Sequence, residues 1–202
     1  GYWSVGVPPS GPMDPLAFRL ANRLVNNAED KAGLEIILAG PTLKFNTDSV
    51  IAITGATIDV QLDGKPLKLW QSHDIKAGTL LQFGKIGDHH GCRSYLAVQG
   101  GFQVANYLGS KATFTLGQFG GHAGRVLRTG DVLHISAKQQ HTHHLLPQEL
   151  IPEYSNHWEI GVLYGPHGAP DFFTAEDIHH FFSAEWGVHH NSSRTGVRLL
   201  GP

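Results

Sequence analysis

Between Gly33 and Gly101 the chain passes through a series of short apolar stretches, each closed by glycine: GLEIILAG, SVIAITG, TIDVQLDG, TLLQFG and CRSYLAVQGG. Short β-rich runs punctuated this regularly read as strands joined by tight connections. The Asp63–Gly64 pair between TIDVQL and KPLKLW is a strong hairpin signal, since a two-residue turn favours such residues. VLHIS, from Val132 to Ser136, ends the series. The spacing predicts a closed or nearly closed antiparallel barrel with a helix packed on it. Twenty-five Gly and eleven Pro among 202 residues agree with a turn-rich, mainly β chain with a few helices.

The helix signal is local and sharp. In GVPPSGPMDPLAFRLANRLV, from Gly6 to Val25, Asp14 falls where an N-cap belongs and Pro15 takes the first helical position. Leu16, Leu20 and Leu24 repeat every four residues beside Ala17, Ala21 and Val25, which predicts one apolar stripe. Asn26–Asn27 supplies the stop. Two readings of the preceding loop stand: an ordinary surface turn, or a set of backbone N–H groups at a positive helix end, suited to a carboxylate or a developing anion.

The stretch AKQQHTHHLLPQELIPEYSN is polar and has neither period clearly, so it reads as a connection. The expected organisation is therefore a β-barrel subdomain over 1–136, a linker over 137–157 and a second α+β subdomain beginning at 158. In that second part HWEIGVLYG reads as a strand and FFTAEDIHHFFSAEW as a helix. Thr174 is its N-cap, Asp177 closes a capping box, and Phe173 can staple onto Ile178. TGVRLL reads as a strand with no partner after it, which suggests an incomplete subdomain.

A formal charge of −2 gives no electrostatic footprint for nucleic acid, and no apolar run approaches a membrane span. The single Cys92 excludes an internal disulfide framework and fits a cytoplasmic setting; within CRSYLAV it reads as a buried, inert thiol. Fourteen histidines raise a metal hypothesis, but neighbours such as His89–His90 point to opposite faces of a strand. The run at His141, His143 and His144 lies in the polar connection, so solvated histidines are the expectation. Gly120, Gly121, His122 and Arg125 share the turn FGGHAGR, which has no P-loop ending. NSSRTG places Asn191 and Arg194 at a strand entry, where the arginine binds a carboxylate or carbonyl, or is simply exposed.

Taken together, longer motifs carry a resemblance. SGPMDPLAFRLANRLVNN followed by AGLEIILAGPTLKF resembles the allophanate-hydrolase-subunit-2 family, which includes subunits of biotin-dependent 5-oxoprolinase-type enzymes. YLAVQGGFQV, NYLGSKATFTLGQFGGHAGRVLRTGD, GPHGAPDFFT and VHHNSSRTGVRLLGP are similar to its urea carboxylase branch. The resemblance implies a cyclophilin-like β-barrel and a carboxyltransferase role, with carboxyl passing from carboxybiotin to urea to give allophanate. It implies biotin on a carrier domain, ATP used by a biotin carboxylase domain, and a partner half resembling subunit 1, all outside this sequence.

Such chemistry asks the protein to hold its reactants together and to stabilise the ureido oxygen as it gains charge. The candidate cradle is Ser10, Gly11 and Asp14, with Asp14 chiefly capping. Asn22 is expected on the polar, solvated side of the helix but within reach of a ligand. Arg125 and Arg194 are the candidate cations, with Gly120, Gly121, His122, His167 and Asn191 as further donors. The alternatives are a 5-oxoprolinase-type subunit, whose carboxylate substrate calls for a dedicated cation, and a non-catalytic regulatory module of the same fold.

Overall fold

The structure, a computed structural model, describes residues 2–87 and 91–201, so the His89–His90 pair lies outside the described residues. The chain divides into two compact units: Ser10–Asn156, and a smaller one made from the stretch up to Pro9 and the stretch from His157 onward.

In the larger unit, helix α1 (Pro15–Leu24) is followed by eight strands: β1 (Leu34–Ile37), β2 (Thr42–Lys44), β3 (Ser49–Gly55), β4 (Ile58–Leu62), β5 (Lys65–Pro66), β6 (Ser72–Ile75), β7 (Leu80–Ile86) and β8 (Arg93–Val98). They form two four-stranded antiparallel sheets, ordered β1-β8-β3-β6 and β2-β7-β4-β5. Among the described residues the ladder does not close on itself, so the expected mainly β antiparallel architecture is present without a fully closed barrel. Instead the sheets pack face to face. Ile51, Ile53, Ile75, Leu96 and Val98 from the first meet Ile58, Val60, Leu81 and Phe83 from the second in one core.

The first sheet is covered on both faces. On its other side Val50, Ala52, Tyr95 and Ala97 pack against Ala17, Ala21, Leu24 and Val25 of α1 and its C-terminal end. Every residue of β3 is therefore buried, and its sequence SVIAITG carries no hydrophobic alternation. The second sheet faces water on one side, and β4 and β7 alternate accordingly. The predicted hairpin is present: Leu62 pairs Lys65, with Asp63 at φ 48° and Gly64 at φ 77°.

Helix α1 differs in rotation from the leucine stripe. Leu16 is 56% exposed, and the buried face is the small one, Ala17 and Ala21 with Leu24. Alanines let the helix approach the sheet closely, which a row of leucines does not. Asn22 is also buried rather than solvated. Its Nδ2 donates to the Lys31 carbonyl at 3.0 Å, and its Oδ1 accepts from Asn27 at 2.8 Å. Asn27 also bonds the Val98 carbonyl and the Gly100 N–H, tying the helix end to β8.

Two other expectations change. VLHIS is not a strand; it contributes one bridge, Phe102 to Ile135. Cys92 is exposed, because it lies just before β8, where the chain enters the sheet. Residues 144–146 run beside β6, with Ser72 N–H donating to the His144 carbonyl at 2.8 Å and Leu146 N–H to the Trp70 carbonyl at 2.9 Å. That contact gives an edge strand a partner.

In the smaller unit, α2 (Ala175–Ser183) begins at the expected capping box of Thr174 and Asp177. Strands β9 (Gly187–Val188) and β10 (Leu199–Leu200) pair with each other, so TGVRLL does find a neighbour. HWEIGVLYG is not a strand, since no described segment lies beside it to complete a ladder. No described residue of this unit is buried, and Leu163 is 96% exposed. No described helix is long and apolar enough to cross a membrane.

The rotation of α1 is testable by chemical denaturation. Ala21→Leu overpacks the helix–sheet contact and should cost about 1–3 kcal/mol. Leu16→Ala, on the exposed side, should change stability by no more than about 0.5 kcal/mol. The reverse ranking would restore the leucine stripe as the packed face.

Candidate functional site

The loop entering α1 is fixed from beneath. Asp14 is the N-cap: its Oδ1 accepts the Ala17 N–H at 3.0 Å, a contact typically worth about 0.5–2 kcal/mol. Its other oxygen accepts the Tyr154 hydroxyl at 2.7 Å. Its own N–H donates to the Tyr95 hydroxyl at 2.8 Å, and the preceding Met13 N–H donates to Glu35 Oε2 at 2.8 Å. Tyr95 in turn donates to the same Glu35 oxygen at 3.0 Å.

Burial, reinforced by the neighbouring carboxylates, raises the pKa of both tyrosines well above the ordinary phenol value. Both therefore remain protonated donors at neutral pH. Next to these anchored amides, the Ser10 and Gly11 N–H groups have no acceptor among the described residues. Gly11 sits at φ 104°, a conformation open to glycine. Ser10 and Gly11 thus keep two backbone donors open shortly before the Asp14 cap of α1.

Strand register accounts for this arrangement. Glu35 pairs Tyr95 across β1 and β8, and Tyr95 pairs Thr54 across β8 and β3. All three lie on the α1 side of the sheet, and Thr54 donates to the Ala17 carbonyl at 2.7 Å. The Phe18 ring meets Tyr95 edge-on, with centroids 5.9 Å apart. None of these partners adjoins the loop in sequence, and although Glu35 and Tyr95 stand within AGLEIILAG and YLAVQGG, nothing in those stretches ties them to the loop.

The second predicted segment is a glycine-dense turn. Gly120 is at φ 73°, and a Cβ there would overlap the Ala112 carbonyl oxygen. Arg125 forks onto Asp131, with Nη1 and Nη2 each 2.7 Å from a carboxylate oxygen. Asp131 also accepts the Arg128 N–H at 2.8 Å and lies 3.7 Å from His122 Nε2. The guanidinium hydrogen bonds hold the Asp131 carboxyl far below the usual range, and the Arg125 pKa is raised in return. Arg125 thus already has a carboxylate, supplied by its own chain. The partner stands in the same quoted motif, RVLRTGD, where the charge pairing is open to be read.

Among the described residues no hydrogen bond or ion pair joins this turn to the loop at 10–14. In the smaller unit His167 meets Phe172 edge-on at 4.6 Å and is exposed. Asn191 N–H donates to His189 Nδ1 at 3.0 Å, and Arg194 is exposed in the turn bridged by Ser193 and Gly196. Among the described residues no group of three or more His, Cys, Asp or Glu has the geometry to hold a metal ion.

This chain belongs to the carboxyltransferase domain family, subdomains A and B, whose family model matches residues 5–202. It is 49% identical over 209 residues to the urea amidolyase of Saccharomyces cerevisiae, an alignment covering 100% of this chain and 11% of that protein. It is 34% identical to a 5-oxoprolinase subunit of Haemophilus influenzae, over 100% of this chain and 62% of that one. The crystal structure of the Kluyveromyces lactis urea amidolyase superimposes with a TM-score of 0.88 at 45% identity, covering 100% of this chain and 13% of that chain. The chain thus spans only 11–12% of the urea amidolyases it matches.

The Arg125–Asp131 pair sets a pH signature. A depressed carboxyl pKa contributes stability that is complete above the unfolded value, about 4, and is lost as pH falls through the folded one. The stability gap between wild type and Asp131→Asn should therefore be flat from neutral pH down to about pH 5 and narrow below about pH 4. A gap in thermal melts that already narrows near neutral pH would show that the Asp131 carboxyl is not its source.

Proposed function

We propose that this chain forms part of the carboxyltransferase of a biotin-dependent urea carboxylase, in which a carboxyl group moves from carboxybiotin to a urea nitrogen to give allophanate. The observation that carries the reading is coverage of the whole chain at 49% identity by a urea amidolyase, against 34% by a 5-oxoprolinase subunit. In this reading the two packed sheets are a cyclophilin-like subdomain in open form, and the smaller unit belongs to a second. ATP and the biotin carrier act on other domains of a cytoplasmic enzyme, together with a half resembling subunit 1, and this chain alone is inactive.

The loop at 10–14 fits what the ureido group requires. Carboxybiotin, if bound at this loop, would supply the carboxyl group that urea accepts. The Ser10 and Gly11 amides, near the start of α1, would be the donors to its ureido oxygen. Asp14 is held in place, because donors occupy both of its oxygens. Arg194, Asn191 and His167 are the candidates for urea or carboxylate contacts, while Gly120, Gly121, His122 and Arg125 shape their turn. Asn22, buried and fully engaged, braces the helix.

The test is urea-dependent ATP turnover by S. cerevisiae urea amidolyase in which this chain replaces the matching segment. Urea, and not 5-oxoproline, should stimulate turnover, and Arg194→Ala should lower the stimulation about tenfold or more. Stimulation by 5-oxoproline alone would transfer the assignment to that substrate. No response to either would favour a binding module.

A further inference from the structure

We propose that Glu35, Tyr95 and Thr54 are positioning residues: as one row across three strands, they set the aim of the Ser10 and Gly11 amides. The inference rests on the carboxyl-transfer reading of that loop and names the part of the fold that makes it accurate.

The row holds the loop and the first helical turn at three backbone points. Glu35 accepts from Met13 N–H, Tyr95 accepts from Asp14 N–H, and Thr54 donates to the Ala17 carbonyl. The helix does not need this support merely to begin, since Asp14 caps it from within. What the row adds is a fixed position relative to the sheet. Between anchored Met13 and open Gly11 stands Pro12, whose ring fixes its own φ and passes the anchoring to the next amide. Donors to a developing anion work only within narrow limits of distance and angle. A displacement of about 1 Å costs on the order of a hundredfold in rate.

Tyr95 is the central member. Its ring is fully buried against α1, and its hydroxyl both accepts from the loop and donates to Glu35. The Glu35 carboxylate also lies 3.6 Å from Arg93 Nε, so it is held in place from the opposite side. Glu35 therefore acts through geometry, as an acceptor for Met13 and Tyr95.

The experiment uses the complete chimaeric enzyme. Tyr95→Phe keeps the ring and removes only the hydroxyl. The urea-dependent kcat should fall about tenfold with KM within about twofold, while turnover without urea is unchanged. Amide hydrogen exchange at Met13 and Asp14, the hydrogen-bonded amides of the loop, should quicken about tenfold, with β3 and β8 unaffected. Glu35→Gln retains an acceptor oxygen and should keep most of the activity, whereas Glu35→Ala should behave like Tyr95→Phe. Thr54→Val, of the same shape, gives a milder loss and a second route should Tyr95→Phe loosen the whole unit. A responsive wild type with unaltered kcat in Tyr95→Phe, or Glu35→Gln as damaging as Glu35→Ala, overturns the positioning role alone. A wild type deaf to urea overturns the carboxyl-transfer reading, and this role with it.

Discussion

The register between β1, β8 and β3 is the constraint on which the rest of the larger unit depends. Because side chains alternate along a strand, the pairing of Glu35 with Tyr95 and of Tyr95 with Thr54 puts all three on one face. A slip of one residue would turn them into the sandwich core and bring Leu96 out under the helix. The register is enforced from the other side by the apolar set of Ile51, Ile53, Leu96 and Val98, which must lie between the sheets. Hydrophobic packing thus selects the alignment, and the polar row on the opposite face follows from it.

Covering the same sheet twice has a further effect. At the centre of a sheet with α1 on one side and a second sheet on the other no face is wet, so every position of strand β3 is buried. Polar side chains in such a sheet need partners within the protein. Thr54 finds the Ala17 carbonyl, and Ser94 donates to the Ala56 carbonyl at 2.6 Å. A buried group left without such a partner costs about 1–3 kcal/mol. The Thr54 hydroxyl therefore also fixes where α1 and its entry loop lie.

What is legible in the sequence is local. The Asp14 and Thr174 caps, the Asp63–Gly64 turn and most strands between Gly33 and Val98 need only neighbouring residues to define them. What is not legible needs a distant partner. The rotation of α1 follows from how closely the sheet approaches Ala17 and Ala21, whereas periodicity alone favours the larger leucines. Asn22 reads as solvated because its acceptors, the carbonyls of Glu29 and Lys31, come from the return of the chain. VLHIS and HWEIGVLYG have strand composition but no full-length neighbour, and a strand exists only in a ladder. The supports of the loop, Glu35, Tyr95 and Tyr154, have nothing in their own stretches of sequence that ties them to it.

The contact between Tyr154 and Asp14 joins residues 140 positions apart. A cap that is local in sequence is thereby completed by one of the last residues of the same unit. During synthesis the helix and its entry loop emerge well before Tyr154, so the Asp14 carboxylate waits for nearly the whole unit before its second oxygen is filled. Separations of that length slow folding, because the intervening loop must close before the contact rewards it. The geometry of the loop is thus a late product of folding. A chain stopped short of Tyr154 can hold α1 and lack the finished cradle.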